Sequence, residues 1–251
     1  SVSSASNFHI ADANPMTKNI KIPKRVLAVF AHPDDMDFSS AGTIAKWSAK
    51  GTDVTYLVCT DGSKGSEDPG MTSARLAAIR EKEQRSAAAI LGVRDVLFLG
   101  HGDGELVADI KLKEEIVRVI REKRPDVVIT MDPAFLYSPA RGYINHADHR
   151  AAGQAAVDAV FPLARDRLNF PQHEKKGIKP HKTPTLLLVS FDEPTHWEDI
   201  STTMEKKIAA LNAHKSQVGA DGLTRIRERN AALGKKARMR YAEGFKRIDV
   251  G

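Results

Sequence analysis

The sequence is poor in cysteine, because Cys59 is its only one among 251 residues. A single cysteine excludes an intramolecular disulfide, and it also excludes a zinc site built from several thiolates. Any metal ion must therefore be held by histidine, aspartate or glutamate side chains. Cys59 itself lies in a strand-like run and is expected to be a small buried apolar residue.

Long apolar runs are also lacking. No stretch approaches the length of about 20 residues that a membrane-spanning helix requires, so we expect no membrane span. Residues 1–22 are rich in Ser, Asn and Ala and lack the apolar core of a signal peptide, which predicts a flexible N-terminal tail. A cytoplasmic location is the expectation, with a processed precursor left as an alternative.

Negative charge is in modest deficit, because the sequence has 32 Asp and Glu residues and 38 Lys and Arg residues. Much of the positive charge lies late in the chain, at 225–229, 235–240 and 246–247. No nucleic-acid-binding motif accompanies these residues, so a basic helix that is solvated or covers an acidic surface is the preferred interpretation. We therefore expect no nucleic-acid partner.

Strand-like and helix-like segments alternate along the chain, which is typical of βαβ units around a parallel sheet. The predicted strands are Arg25–Ala31, Asp53–Cys59, Val96–Leu99, Val127–Met131 and Leu186–Phe191. The predicted helices are Ser40–Lys50, Ser73–Leu91, Lys111–Lys123, Asp148–Phe161, Ile200–Ala213 and Leu223–Tyr241. Residues 164–184 are predicted to be an irregular loop or insertion. The predicted fold class is α/β, with a Rossmann-like, mostly parallel sheet flanked by helices in a single domain over residues 23–251.

The first polar cluster, His32-Pro33-Asp34-Asp35, follows directly on the predicted strand Arg25–Ala31. Side chains at the carboxyl end of such a strand lie where open α/β sheets collect their ligands. Two residues separate His32 from Asp35, which lets both side chains point at one metal ion. The adjacent Asp34 leaves the backbone in another direction and is free to act as a general base. A strand end followed by a helix cap is the simpler interpretation of this cluster taken alone.

The second polar cluster, Asn145-His146-Ala147-Asp148-His149, opens the predicted helix that follows Val127–Met131. His146 and His149 share a helix face, so one of them can complete a three-ligand site with the first cluster. The fourth position is then open for water, as in catalytic zinc sites, and the other histidine can stabilise an oxyanion. Asp148 can fix the orientation of a neighbouring imidazole. Because both clusters fall at the carboxyl ends of predicted strands, they are expected to form one site.

Together these residues resemble the LmbE-like (PIG-L) family of zinc-dependent N-deacetylases. The resemblance runs from about Arg25 to Ile248, and its motifs stand in the family's order on the expected elements. The core motifs are Ala31-His32-Pro33-Asp34-Asp35, Gly42-Thr43-Ile44-Ala45 and His146-x-Asp148-His149. Weaker matches are Arg80-Glu81-Lys82-Glu83, Asp103, and Leu211-x-x-His214-x-Ser216-Gln217. Asp37 stands where many members carry Glu, and Asn145 stands where some carry Arg.

The resemblance implies a role for each matching position. His32, Asp35 and His149 are implied to bind Zn²⁺, with another divalent metal as an alternative. Asp34 is implied to act as general base and then as general acid, and His146 to polarise the acyl carbonyl. Positions similar to Arg80 and Asp103 contact sugar hydroxyls in some members, so these two residues are the predicted substrate contacts.

The function implied by the resemblance is hydrolytic removal of an acetyl group from an N-acetylated amino sugar or a related small acetamide. Family members are often homo-oligomers, and the resemblance leaves that state open for this chain. Alternatives are an amidase of a sugar-linked thiol conjugate, a hydrolase of another ester or phosphoester, and a non-catalytic module that binds metal or sugar. A two-carboxylate glycosidase is disfavoured, because the adjacent Asp34 and Asp35 cannot flank a glycosidic bond.

Overall fold

A seven-stranded mixed sheet lies at the centre of the computed structural model, which describes residues 20–251. Its strands, in chain order, are β1 Arg25–Phe30, β2 Asp53–Thr60, β3 Asp95–His101, β4 Val127–Met131, β7 Thr185–Val189, β8 His196–Asp199 and β9 Ala242–Asp249. A separate two-stranded hairpin consists of β5 Tyr137–Ser138 and β6 Tyr143–Ile144. Of the predicted N-terminal tail, only residues 20–22 belong to the described part of the chain.

Seven α-helices are found in the described residues. They are α1 Asp35–Ser48, α2 Ser73–Leu91, α3 Ile110–Lys123, α4 Ala147–Asp158, α5 Pro171–Lys175, α6 Met204–Leu211 and α7 Ala220–Lys236. None of them combines the length and the apolar character that a membrane span needs.

The sheet order is β3-β2-β1-β4-β7-β9-β8, and the first five of these strands run parallel. From β1 the chain passes outward through β2 to β3, and then returns to place β4 on the other side of β1. The connections therefore diverge between β1 and β4, which leaves a crevice outside their carboxyl ends. Both polar clusters follow these two strands.

Two apolar layers cover the faces of the sheet, and β1 contributes alternate residues to both. Val26, Ala28 and Phe30 pack into the layer that also contains residues of α1 and α2. Leu27 and Val29 pack into the opposite layer, with residues of α3 and α4. Burial on both faces explains why this strand reads as a continuous apolar run.

The α/β fold class with a mostly parallel sheet is confirmed, and each predicted strand and helix has a counterpart. The first helix begins at Asp35 instead of Ser40, so the polar cluster continues into helix α1. The helix predicted over Leu223–Tyr241 is α7, which ends at Lys236 because the chain turns there into β9. The antiparallel strands β8 and β9 were not predicted. The segment 164–184 contains the short helix α5 between turns.

Candidate metal centre and active site

The first polar cluster lies in the turn between β1 and α1, and the second lies at the start of α4. Gly153 lets α4 pack close to β4, since a Cβ atom there would lie 2.5 Å from the backbone oxygen of Met131. His149 lies one helical turn before Gly153, so this close packing places it over the carboxyl end of β4. The sheet thus brings together two clusters that are more than 100 residues apart.

His32, Asp35 and His149 place three donor atoms around one point. His149 Nε2 lies 3.1 Å from Asp35 Oδ1, and His32 Nδ1 lies 3.4 Å from Asp35 Oδ2. The donor atoms of this group all lie within 4.8 Å of one another. Two imidazole nitrogens and one carboxylate oxygen form a donor set that suits zinc and related divalent metals.

Asp148 and Asp103 hold the other ring nitrogen of His32. His32 Nε2 lies 3.2 Å from Asp148 Oδ2 and 3.1 Å from Asp103 Oδ1. The fully buried Asp148 also accepts hydrogen bonds from the backbone N–H groups of Gly104 and Leu106. A proton on Nε2 leaves the Nδ1 lone pair free to face the metal centre. Asp148 thus contacts the imidazole of His32, which belongs to the first cluster.

Asn145 holds His149 in the same way. His149 Nδ1 lies 3.0 Å from Asn145 Oδ1, and the Asn145 amide donates from Nδ2 to the backbone oxygen of Phe135 at 2.8 Å. The second contact fixes which end of the amide faces the histidine, so His149 Nδ1 carries the proton and Nε2 is available as a donor to metal. Sequence reasoning did not assign this role to Asn145.

A second group with nearby donor atoms contains His32, Asp103, His146 and Asp148. The carboxylate oxygens of Asp103 and Asp148 already accept hydrogen bonds from His32 and from backbone N–H groups. The carboxylates of Asp103 and Asp148 thus hold His32, which leaves the group that contains His149 as the better candidate for a metal site.

The electrostatics of the centre favour a bound cation. Burial lowers the pKa of His32, but hydrogen bonds to Asp103, Asp148 and Asp35 outweigh burial and raise that pKa to about 12. Burial raises the pKa of Asp35, but His149 and His32 hold it well below the usual range. Three carboxylates around one imidazole attract positive charge, which a proton or a metal ion can provide.

Asp34 lies beside the donor group without belonging to it. Its Oδ2 atom is 3.2 Å from Arg80 Nη2, and its backbone N–H donates to Gln84 Oε1 at 2.7 Å. Burial raises the pKa of the Asp34 carboxyl to about 7, against the opposing charge of Arg80. The structure thus keeps this carboxylate apart from the metal ligands, with its own partners.

His146 caps α4 and is half exposed. Its Nδ1 atom accepts a hydrogen bond from the backbone N–H of Asp148 at 3.1 Å. Burial and the nearby charge of His32 lower the pKa of His146, which favours the neutral ring. Because Nδ1 accepts this hydrogen bond, the neutral ring carries its proton on Nε2. The ring centroids of His146 and His32 are 4.8 Å apart, which places this N–H donor next to the metal centre.

Arg80 and Asp103, the predicted sugar contacts, are each only 5% exposed. Arg80 donates to the backbone oxygens of Gly62 and Pro33 and to Asp34. Asp103 accepts hydrogen bonds from the Lys64 backbone and from His32. Both side chains thus hold protein atoms of the centre, and contact with a sugar stays a prediction for them.

Sequence reasoning missed a buried polar network behind Asp34. Asp37, whose role the sequence left open, accepts hydrogen bonds from Gln84 and His214 at 2.8 Å and from the Tyr56 hydroxyl at 3.3 Å. These four residues are fully buried. The family resemblance around His214 was the one sequence feature that indicated this network, and nothing in the sequence indicated Gln84.

The arrangement provides the groups that metal-assisted hydrolysis needs. A metal held by His32, Asp35 and His149 would have three protein ligands and an open coordination position, in contrast to the four ligands of a structural zinc site. Asp34 supplies a carboxylate that is not a ligand, and His146 supplies an exposed N–H donor. A carboxylate, a hydrogen-bond donor and a group of three donors that could hold a metal therefore meet in one crevice, and these groups suit hydrolysis.

A model of the PIG-L family, described as GlcNAc-PI de-N-acetylase, matches residues 27–160, which include both polar clusters. The diacetylchitobiose deacetylase of Thermococcus kodakarensis is 37% identical to the chain over 228 residues, covering 89% of the chain and 82% of that protein. The 1D-myo-inositol 2-acetamido-2-deoxy-alpha-D-glucopyranoside deacetylase of Rhodococcus erythropolis is 30% identical and covers 78% of the chain and 81% of that protein.

Solved structures show the same likeness. The N,N'-diacetylchitobiose deacetylase from Pyrococcus horikoshii, in complex with its inhibitor MPG, superposes with a TM-score of 0.83 at 31% sequence identity. The superposition covers 90% of the chain and 84% of that structure.

Proposed function

The chain belongs to the PIG-L family of N-deacetylases, and on that premise we propose that its crevice hydrolyses the acetamide of an N-acetylated amino sugar. The products are acetate and the free amino sugar. The observation that carries the proposal is the convergence of the donors of His32, Asp35 and His149 beside Asp34 and His146. The relatives named above act on sugars that carry an N-acetyl group, which supports this substrate class.

We assign Zn²⁺ to the group formed by His32, Asp35 and His149. The donor set fits zinc, because it contains two neutral nitrogens, one carboxylate and an open fourth position. Such an ion supplies Lewis acidity, since it lowers the pKa of water and polarises a carbonyl group. Asp148 and Asn145 keep the ligating nitrogens deprotonated by accepting the protons of the opposite ring nitrogens.

The chain's own residues move the protons of the reaction. The Asp34 carboxylate accepts a proton from the attacking water and returns it to the nitrogen of the leaving amine. Arg80 Nη2, 3.2 Å from Asp34 Oδ2, orients that carboxylate. The His146 Nε2–H group donates a hydrogen bond to the acyl oxygen as negative charge develops there. Water and the amide are thereby converted into acetate and an amine.

Acetate release tests the proposal directly. The purified chain, loaded with Zn²⁺, is incubated with diacetylchitobiose and with N-acetylglucosamine, with and without a chelator. We expect release of acetate and of a free amine, loss of both on chelation, and recovery when Zn²⁺ is restored. Metal-loaded protein that releases no acetate from either sugar overturns the proposal, and cleavage of a thiol-conjugate amide without acetate release would favour the amidase instead.

The variant Asp34→Asn tests the assigned general base. We expect it to retain its metal, because Asp34 is not a ligand, and to lose kcat by about 10²–10⁴-fold, as expected when a general base is removed. Acetate release and elemental analysis of zinc measure the two effects. Asp68→Asn, in an exposed loop, serves as the matched control. Wild-type kcat in Asp34→Asn would show that another group takes the proton.

A further inference from the structure

The backbone of Asp34 is strained. Its φ angle is 95° and its ψ angle is −31°, although Asp34 is not a glycine. Positive φ brings the Cβ atom of an L residue close to neighbouring backbone atoms and costs free energy. Such a conformation persists only where surrounding contacts fix it, and these positions cluster at functional sites. The contacts that fix Asp34 come from helix α2.

Two side chains of α2 bind the peptide group between Pro33 and Asp34. Arg80 Nη2 donates to the backbone oxygen of Pro33 at 2.6 Å, and Gln84 Oε1 accepts from the Asp34 N–H at 2.7 Å. The oxygen and the N–H of a trans peptide point in opposite directions. Hydrogen bonds to both ends therefore prevent the peptide plane from rotating. Arg80 and Gln84 are four residues apart, so they project from one face of the helix.

The orientation of the Gln84 amide is itself determined by Asp37. Gln84 Nε2 donates to Asp37 Oδ2 at 2.8 Å, and both residues are fully buried. An ionised carboxylate only accepts hydrogen bonds, so the amide must turn its N–H₂ group toward Asp37. Its oxygen then faces the Asp34 N–H. His214 Nε2, 2.8 Å from the same Asp37 oxygen, holds the carboxylate in place.

We propose that Gln84 is a positioning residue of the deacetylation reaction, which together with Arg80 clamps the Pro33–Asp34 peptide so that the Asp34 carboxylate stays beside the metal centre. This inference rests on the proposed function. When the acceptor at Gln84 is removed, rotation of the peptide plane by a half turn makes φ of Asp34 negative and relieves the strain. The same rotation removes the Pro33 oxygen from Arg80, so the carboxylate loses its fixed position.

The variant Gln84→Met tests the clamp, because it keeps the volume of the side chain and removes the hydrogen-bond acceptor. We expect kcat to fall on the order of 10²-fold, the loss that a misplaced catalytic group produces, while KM and zinc content stay at wild-type values. The crystal structure of the variant should show a negative φ at Asp34. Gln154→Met, on the exposed side of α4, is the matched control and should behave as wild type.

Exchange of the polar groups provides a second test that preserves buried hydrogen bonding. The test combines Gln84→Glu with Asp37→Asn, which exchanges the amide and the carboxylate of this pair. In Gln84→Glu two carboxylates face each other. Gln84→Glu alone should therefore lose kcat. The double variant restores one carboxylate and one amide, keeps an acceptor for the Asp34 N–H, and should recover most of the kcat.

Three results overturn the clamp. They are wild-type kcat in Gln84→Met, an unchanged Pro33–Asp34 peptide in its crystal structure, and a double variant no better than Gln84→Glu. A loss of kcat that parallels a loss of zinc also contradicts the inference, since the residue would then act through the metal ligands. Failure of the proposed function can be distinguished from failure of the clamp, because in that case the wild-type protein itself releases no acetate.

Discussion

Residues outside the proposed ligand set determine which nitrogen of each proposed ligand histidine faces the centre. Asp148 accepts a hydrogen bond from His32, and Asn145 accepts one from His149. Asp148 and Asn145 both lie in the second polar cluster. This cluster therefore orients a proposed ligand of the first cluster, His32, and one of its own, His149. The sequence motif His146-x-Asp148-His149 therefore combines a substrate-facing donor, an orienting carboxylate and a proposed ligand within four residues.

Asn145→Ala is predicted to weaken zinc binding. The substitution removes the acceptor of His149 Nδ1–H, so the imidazole can rotate or change its tautomer. Loss of such a partner typically reduces metal affinity by about 10–100-fold. Competition with a chelator of known affinity measures the change. Asn212→Ala, at an exposed position after α6, is the control, and equal zinc affinity in both variants would contradict the orienting role.

Gly62→Ala is predicted to destabilise the fold and to disturb the catalytic carboxylate. Gly62 has φ of +62°, and an added Cβ would lie 2.8 Å from Pro33 Cδ and 2.9 Å from Arg80 Nη1. Backbone strain and crowding together should cost about 2–5 kcal/mol of the free energy of unfolding. Displacement of Arg80 should also lower kcat.

The control for this variant is Gly177→Ala, because Gly177 also has positive φ but no atom within 4 Å of an added Cβ. It isolates the backbone strain, which should cost about 1–2 kcal/mol. Urea denaturation of both variants gives the difference that is due to crowding. Equal losses would mean that the packing of Gly62 against Arg80 does not matter for stability.

At the scale of elements, a buried ion pair joins three of them. Lys207 on α6 donates to Glu243 on β9, and the Glu243 carboxylate also accepts from the backbone N–H groups of Gly42 and Thr43 in α1. Lys207 and Glu243 are at most 1% exposed. Burial lowers the pKa of Lys207, and the charge of Glu243 opposes that shift. The pair fixes α1, which begins at Asp35 of the first polar cluster, against β9.

Lys207→Met is predicted to lower the free energy of unfolding by about 3–5 kcal/mol, because Glu243 is left as a buried charge without its cation. Urea denaturation of the zinc-loaded protein measures the loss. Glu205→Gln, which breaks the exposed pair between Glu205 and Arg227, is the control and should cost far less. A small loss in Lys207→Met would show that Glu243 is satisfied by the backbone of α1 alone.

The elements differ in how well the sequence predicts them. The parallel strands were predictable because burial on both faces gives continuous apolar runs, as in β1 and β4. β9 was not predicted because its sequence contains Glu243, Gly244 and Lys246 and few apolar residues, so it lacks the continuous apolar run of the parallel strands. Its strand character depends on pairing with β7, which is a tertiary contact that no local pattern records.

The candidate site was predictable in part, as the secondary structure was. Motif order and strand ends were enough to indicate which residues meet, since the carboxyl ends of β1 and β4 lie side by side. The hydrogen-bond partners were not, because Gln84 lies 50 residues from Asp34 and no spacing rule connects a helix face with a turn. The direction in which the Asn145 amide points depends equally on a contact with Phe135.

At the scale of the whole molecule, the position of the centre links metal binding to stability. The three donor residues come from the two polar clusters, which meet only in the folded sheet. An ion that binds the folded chain alone stabilises it by about 2.7 kcal/mol at a concentration of 100 times Kd. We therefore predict that Zn²⁺ raises Tm by about 5–10 °C in a chain of this size.

Thermal unfolding with and without Zn²⁺ measures this shift. His149→Ala is the comparison, because it removes one donor and should abolish the shift without changing the fold elsewhere. A shift of equal size in the variant would place the stabilising ion at a different site.

The separation of the donors along the chain also has a consequence for synthesis. Residues 32 and 35 leave the ribosome long before residue 149, and β4 must add to β1 before the three donors face one another. A nascent chain that ends before α4 has no complete ligand set and competes poorly for cellular zinc. Metal uptake should therefore follow translation of α4, which ends at Asp158, so the supply of zinc bears on chains that already contain both polar clusters and not on shorter intermediates.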